Sequence, residues 1–234
     1  MDDEIIRVFI GYDGREAAAF SVLSFSIQRR ASRPVAIAPL MLSQLDGLMW
    51  RERHSLQSTD FSFSRFLVPH LCGYRGWALF MDCDMLMLDD IARLWALRDE
   101  RHSVMCVQHN HVPSETTKFL GEAQTQYEKK NWSSVMLFNC ARCAALTPDY
   151  VNTATGLDLH RFRWLEGDHL IGALPPRWNH LVDYDPPRPV SDLSNLHYTI
   201  AGPYFDDYRD CGYADLWFAE REAMLHCQQK GAAG

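Results

Sequence analysis

The run Trp77-Ala78-Leu79-Phe80-Met81 constrains the fold more than any other part of the chain. Five consecutive apolar residues without alternation read as a strand covered on both faces, as in a parallel sheet with helices on either side. The run stops at Asp82-Cys83-Asp84. Around it, strand and helix signals alternate. Ile5–Gly11 is rich in β-branched residues and halts at Gly11-Tyr12-Asp13-Gly14. A helix is predicted over 15–30, where Ala18, Val22 and Phe25 recur at helical spacing, and Arg33-Pro34 closes it before a strand at 35–38. Phe63, Phe66, Leu67 and Leu71 mark a helix over 62–71 closed by Gly73. Further strands are expected at 103–108 and 134–138, with helices near 90–98 and 141–153. The last third is proline-punctuated around a strand-like Leu196–Ile200 and ends in a helix over 213–226. The alternation predicts an α/β fold with a mostly parallel central sheet flanked by helices. No composition shift marks a boundary, so residues 1–234 read as one domain.

Open α/β sheets bind ligands at the carboxyl ends of their strands, which is where Asp82 and Asp84 sit. In extended chain, residues two apart point the same way, so both carboxylates can face one cation. Hard oxygen ligands suit Mg²⁺ or Mn²⁺, and such an ion would bridge a substrate diphosphate. The competing reading makes these acids turn and cap residues. It suits Asp89 and Asp90, which precede the helix at 90–98. It suits Asp82 and Asp84 less, because unpaired acid at the end of a buried strand repels itself without a counter-ion.

Composition excludes other classes. Lys and Arg total 23 against 30 Asp and Glu, a formal charge of −7, which leaves no broad basic face for nucleic acid or anionic lipid. No run approaches the roughly 18 apolar residues of a membrane span, so the chain is not expected to be an integral membrane protein. The start Met1-Asp2-Asp3-Glu4 carries acid where a signal peptide carries base. Seven cysteines, an odd number, argue against a disulfide framework. Cys140 and Cys143 have C-x-x-C spacing without a second pair and read as small buried thiols. Together these features point to a cytoplasmic protein.

The segment from Phe63-Ser64-Arg65-Phe66-Leu67-Val68-Pro69 through Trp77–Leu86 to Asp90-Ile91 and Leu94 resembles the core of glycosyltransferase family 8. These are the glycogenin-like, nucleotide-sugar-dependent enzymes of GT-A fold. Weaker echoes follow in the family's order: Tyr12-Asp13, Trp132–Asn139, Glu166-Gly167-Asp168, Trp178-Asn179 and Leu196–Pro203. The resemblance implies a nucleotide-binding part over about 1–100 and an acceptor-side part over about 101–234. It implies transfer of a sugar from a nucleoside-diphosphate sugar, a UDP-sugar foremost, to a hydroxyl acceptor with retention of configuration. The acceptor could be a glycan, a lipid-linked glycan or a small molecule. Asp82 and Asp84 resemble the family's metal pair, and His197 its third ligand; an imidazole tilts the ion from Mg²⁺ toward Mn²⁺. Tyr12, Asp13, Arg65, Cys83, Ser133 and Gly202 are expected on the donor, although Asp13 equally fits a helix cap. Glu166 or Asp168, depending on register, would face the donor sugar as the catalytic carboxylate. His109 and His111 follow the strand at 103–108 and could reach the acceptor or the donor sugar.

Two departures stand out. The family places a lysine after the final His-x-x-Gly, where Gly202-Pro203-Tyr204-Phe205-Asp206 has none; Lys129, Lys130 and Arg209 are substitutes. At Glu166-Gly167-Asp168-His169 the family has an Asp-Gln pair. Two other readings remain: a nucleotide-sugar-binding pseudo-enzyme, which the missing lysine favours, and a D-x-D phosphatase of the haloacid-dehalogenase type. The phosphatase reading is the weaker, since Asp82 lies deep in the chain and Met85 follows the pair.

Overall fold

The apolar run forms β3 (Trp77–Met81), with all five residues buried. It lies at the centre of a six-stranded sheet in the computed structural model, which describes residues 5–52, 57, 59–110 and 128–226. On one side are β1 (Ile6–Gly11) and β2 (Val35–Leu40), and on the other β6 (Val135–Asn139), β5 (Val104–Cys106) and β7 (Ile171–Ala173), in the order β2-β1-β3-β6-β5-β7. Only β6 runs against the rest, so the sheet is mostly parallel as expected. Ile10 of β1 lies beside Met81 of β3, which brings Tyr12 and Asp13 to the same sheet edge as Asp82.

Helix α1 (Ala17–Arg30) follows β1 and buries Val22, Leu23, Ser26 and Ile27. Helix α2 (Val68–Leu71) is shorter than expected: 64–67 is a 3₁₀ turn, and Gly73 ends the segment at φ +59. Asp90 caps α3 (Ile91–Trp95), its carboxylate accepting from the Ala92 N–H at 2.9 Å. The helix expected over 141–153 is confined to α4 (Pro148–Thr153), because Pro148 is pre-set for a first turn and Thr147 caps it. Helix α5 (Gly156–His160) was not foreseen; α6 (Ala214–Leu225) was.

A second, three-stranded sheet decides where the site lies. Immediately after Asp84 the chain forms β4 (Met85–Met87), which pairs antiparallel with β9 (Asn195–His197), itself parallel to β8 (His180–Leu181). Met85 stands opposite His197, and the Tyr198 N–H donates to the Asp84 carbonyl at 2.8 Å. Strands of two or three residues are too short to show periodicity, which is why β4, β7 and β8 escape sequence reading. The strand expected over 196–200 stops at His197. Among the described residues no helix is long and apolar enough to cross a membrane. The six described cysteines are free thiols, and Cys140 and Cys143 are buried; Cys227 lies outside the described residues.

Candidate metal and donor site

The register between β4 and β9 carries His197 onto the acidic pair. Its Nε2 lies 3.3 Å from Asp84 Oδ1 and 4.0 Å from Asp82 Oδ2. One ligand atom from each of the three residues falls within 4.8 Å of the others. The two carboxylates are mostly covered, at 14% and 13% exposure, and the imidazole is 2% exposed. Two carboxylate oxygens and an imidazole nitrogen are a donor set that a divalent cation accepts.

Arg65 closes one side of this cluster. The 3₁₀ turn at 64–67 turns its side chain inward, where Nη1 meets Asp82 Oδ1 at 2.9 Å and donates to the Ser133 carbonyl at 2.9 Å. The guanidinium also lies over the Phe80 ring, 5.0 Å from its centroid.

Glu16 was missed by sequence reasoning. It is 1% exposed, accepts from the Tyr204 hydroxyl at 2.7 Å, and faces the Cys83 thiol at 3.7 Å. Burial first, and then the charge of Asp84, push its carboxyl up to about 8. Beside it, the Asp82 and Asp84 carboxylates stand against one guanidinium at the cluster. A divalent ion would reverse that excess and make the edge attractive to a diphosphate. Nothing in the spacing around Glu16 sets it apart from an ordinary first-turn acid.

The other expected residues are distributed unevenly. Asp13 is 2% exposed and caps the turn that leads into α1, accepting from the Arg15 N–H at 3.0 Å. Burial works to raise its carboxyl, but hydrogen bonds and charge from Arg15, together with the Asp60 N–H, hold it below its ordinary value. Tyr12 sets its ring edge-on to Phe20 at 5.4 Å. Cys83 departs from the donor-contact expectation as a side chain. The thiol is 0% exposed and faces the Glu16 carboxyl. Ser133 is buried with its hydroxyl 2.8 Å from His160 Nδ1. Gly202 is needed for close packing, since a Cβ there would lie 2.2 Å from the Tyr204 ring.

Glu166 and Asp168 are exposed. Asp168 lines a cavity of about 490 Å³ and pairs with Lys129 Nζ at 2.5 Å. That pairing, with a further bond to the Arg161 carbonyl at 3.0 Å, commits Lys129 away from a diphosphate. Arg209 stacks over Phe218 at 5.2 Å. Tyr204 and Phe205 follow Gly202 and Pro203, their rings 4.8 Å apart. His109 bonds Asn179 at 2.9 Å through Nε2; His111 lies outside the described residues.

This fold is that of the GT-A glycosyltransferases. The WbbM bifunctional glycosyltransferase superposes with a TM-score of 0.64 at 14% identity, covering 94% of this chain and 50% of that one. This chain therefore spans half of the WbbM chain. LgtC, solved as a galactosyltransferase, gives 0.58 at 14% identity over 93% of this chain and 96% of its own. GlyE of Streptococcus pneumoniae TIGR4 gives 0.59 at 13% identity over 95% of this chain and 62% of that one. No family model matches the sequence. Protein CDI of Arabidopsis thaliana is 50% identical over 223 residues, covering 92% of this chain and 86% of its own, and the chain belongs to the Protein CDI family.

Proposed function

We propose that this protein is a metal-dependent glycosyltransferase of the family 8 type. In this reading residues 1–234 are one transferase domain that moves a sugar from a UDP-sugar to a hydroxyl acceptor with retention. The observation that carries the reading is the convergence of Asp82, Asp84 and His197 at the carboxyl edge of β3 in a GT-A fold. Asp82, Asp84 and His197 would hold a Mn²⁺ ion, which would supply positive charge to balance a leaving diphosphate.

The chain's own residues do the rest. Arg65 keeps the Asp82 carboxylate aimed and adds a fixed cation near the donor phosphates. Tyr12 and the backbone around Asp13 and Cys83 flank the nucleoside, and Ser133 and Gly202 line the donor. Glu166 or Asp168 orients the sugar. The acceptor oxygen bonds to the anomeric carbon as the bond to the diphosphate breaks, and the acceptor's proton passes to a leaving-phosphate oxygen.

A specific observation supports a second reading, donor binding without turnover. The segment after Gly202 presents Tyr204 and Phe205 where the family has lysine, and Lys129 is held by Asp168. One experiment separates the two: UDP release from a panel of UDP-sugars with Mn²⁺, alongside thermal shift with the same ligands. Release that is lost in Asp84→Asn establishes the transferase. A Mn²⁺-dependent shift without release from any donor leaves the binding module, and neither signal refutes the site.

A further inference from the structure

His197 can serve as a ligand only if the ring nitrogen facing the carboxylates carries a lone pair, and the surrounding hydrogen bonds settle which nitrogen that is. The Ser134 hydroxyl donates to the Asn131 carbonyl at 2.7 Å, so toward Asn179, 2.8 Å away, its oxygen can only accept. The amide of Asn179 must therefore turn Nδ2 to Ser134. The same Nδ2 lies 2.9 Å from His109 Nε2, which takes its second proton. With both N–H groups committed, Oδ1 is left facing His197 Nδ1 at 3.0 Å, and an oxygen there requires a proton on Nδ1. In the neutral ring Nε2 is then the unprotonated nitrogen, and it is Nε2 that faces Asp84 at 3.3 Å.

The surroundings leave Asn179 little freedom. It is 0% exposed, its N–H donates to the Pro176 carbonyl at 3.1 Å, and the neighbouring Trp178 carbonyl is tied by Asn195 Nδ2 at 3.1 Å. We propose that Asn179, its polarity set by Ser134, is a positioning residue that locks His197 in the Nδ1–H form and presents Nε2 to the acidic pair. The proposal rests on the metal reading above for its use, though not for its test. Metal-bound histidines commonly need such a partner on the far nitrogen, and losing it costs about 10–100-fold in metal affinity. Through Nδ2 the same amide reaches His109, which joins the loop after β5 to the cluster.

The test is the ¹⁵N–¹H ring spectrum of His197 in metal-free protein, assigned with His197→Gln, followed by Mn²⁺ titration. The native neutral ring is expected to carry its proton on Nδ1. Asn179→Leu should move the proton to Nε2, where Asp84 accepts it, and weaken Mn²⁺ about 10–100-fold. Asn179→Asp keeps an acceptor facing Nδ1 and should hold the proton there, while giving up the N–H donors to Ser134 and His109. A native neutral ring protonated on Nε2 overturns the proposal, as does a folded Asn179→Leu with unchanged tautomer and Mn²⁺ affinity. If Asn179→Leu does not fold, the native spectrum still decides. An Nδ1–H ring in a protein that binds no Mn²⁺ refutes the metal reading instead.

Discussion

Replacing Arg65 with methionine keeps most of the stem's volume and removes the charge. Arg65 is 6% exposed and Asp82 lies 2.9 Å from it at 14% exposure, so Arg65→Met takes the guanidinium away from a largely covered carboxylate. Breaking a buried pair from one side costs about 3–5 kcal/mol, and the residual solvent at Asp82 favours the low end, about 3 kcal/mol. For a chain of this size that is a fall of roughly 6–12 °C in melting temperature. The double variant Arg65→Met/Asp82→Asn removes both charges and should recover about half of the loss. Denaturant unfolding and thermal melts in EDTA read all three variants. A single variant within about 1 kcal/mol of native, or a double variant no better than the single, would refute the charge pairing as the reason Arg65 is buried there.

Glu16 makes metal-free stability depend on pH. Its carboxyl is raised in the fold, so its favourable contribution is full below about 4.5 and is lost as pH rises to about 8; Glu16→Gln should flatten that decline in a pH series of unfolding curves. Gly202→Ala places a methyl against the Tyr204 ring and should cost about 1–3 kcal/mol, with the Tyr204 to Glu16 contact broken in a crystal structure of the variant. Asp90→Ala removes a helix cap 2.9 Å from its N–H and should cost about 1 kcal/mol in chemical denaturation, leaving Mn²⁺ affinity unchanged.

The central strand and the acids at its end were legible because their signals are local: an unbroken apolar run, then two acids two residues apart. The same holds for β1, α1, β2 and the Asp90 cap, each written in a stretch of adjacent residues. His197 came only through resemblance, since its approach depends on pairing between strands of three residues separated by about a hundred positions. Glu16 and Asn179 were illegible as site residues for a related reason. A buried acid near the first helical turn looks ordinary in sequence, and Trp178-Asn179 stood out only as a family echo without a role; both acquire meaning from Tyr204, Ser134 and His197 brought from elsewhere. Pro148 shows a local signal underweighted: its preference for a first helical turn divides what periodicity alone read as one helix.

The most direct measurement is anomalous diffraction at the manganese edge from crystals grown with Mn²⁺ and UDP. The result expected is one strong peak among Asp82, Asp84 and His197 Nε2, with diphosphate density against it. Diphosphate density with no manganese peak at these three residues, or a peak elsewhere on the protein, would contradict the metal site on which the proposed transfer depends.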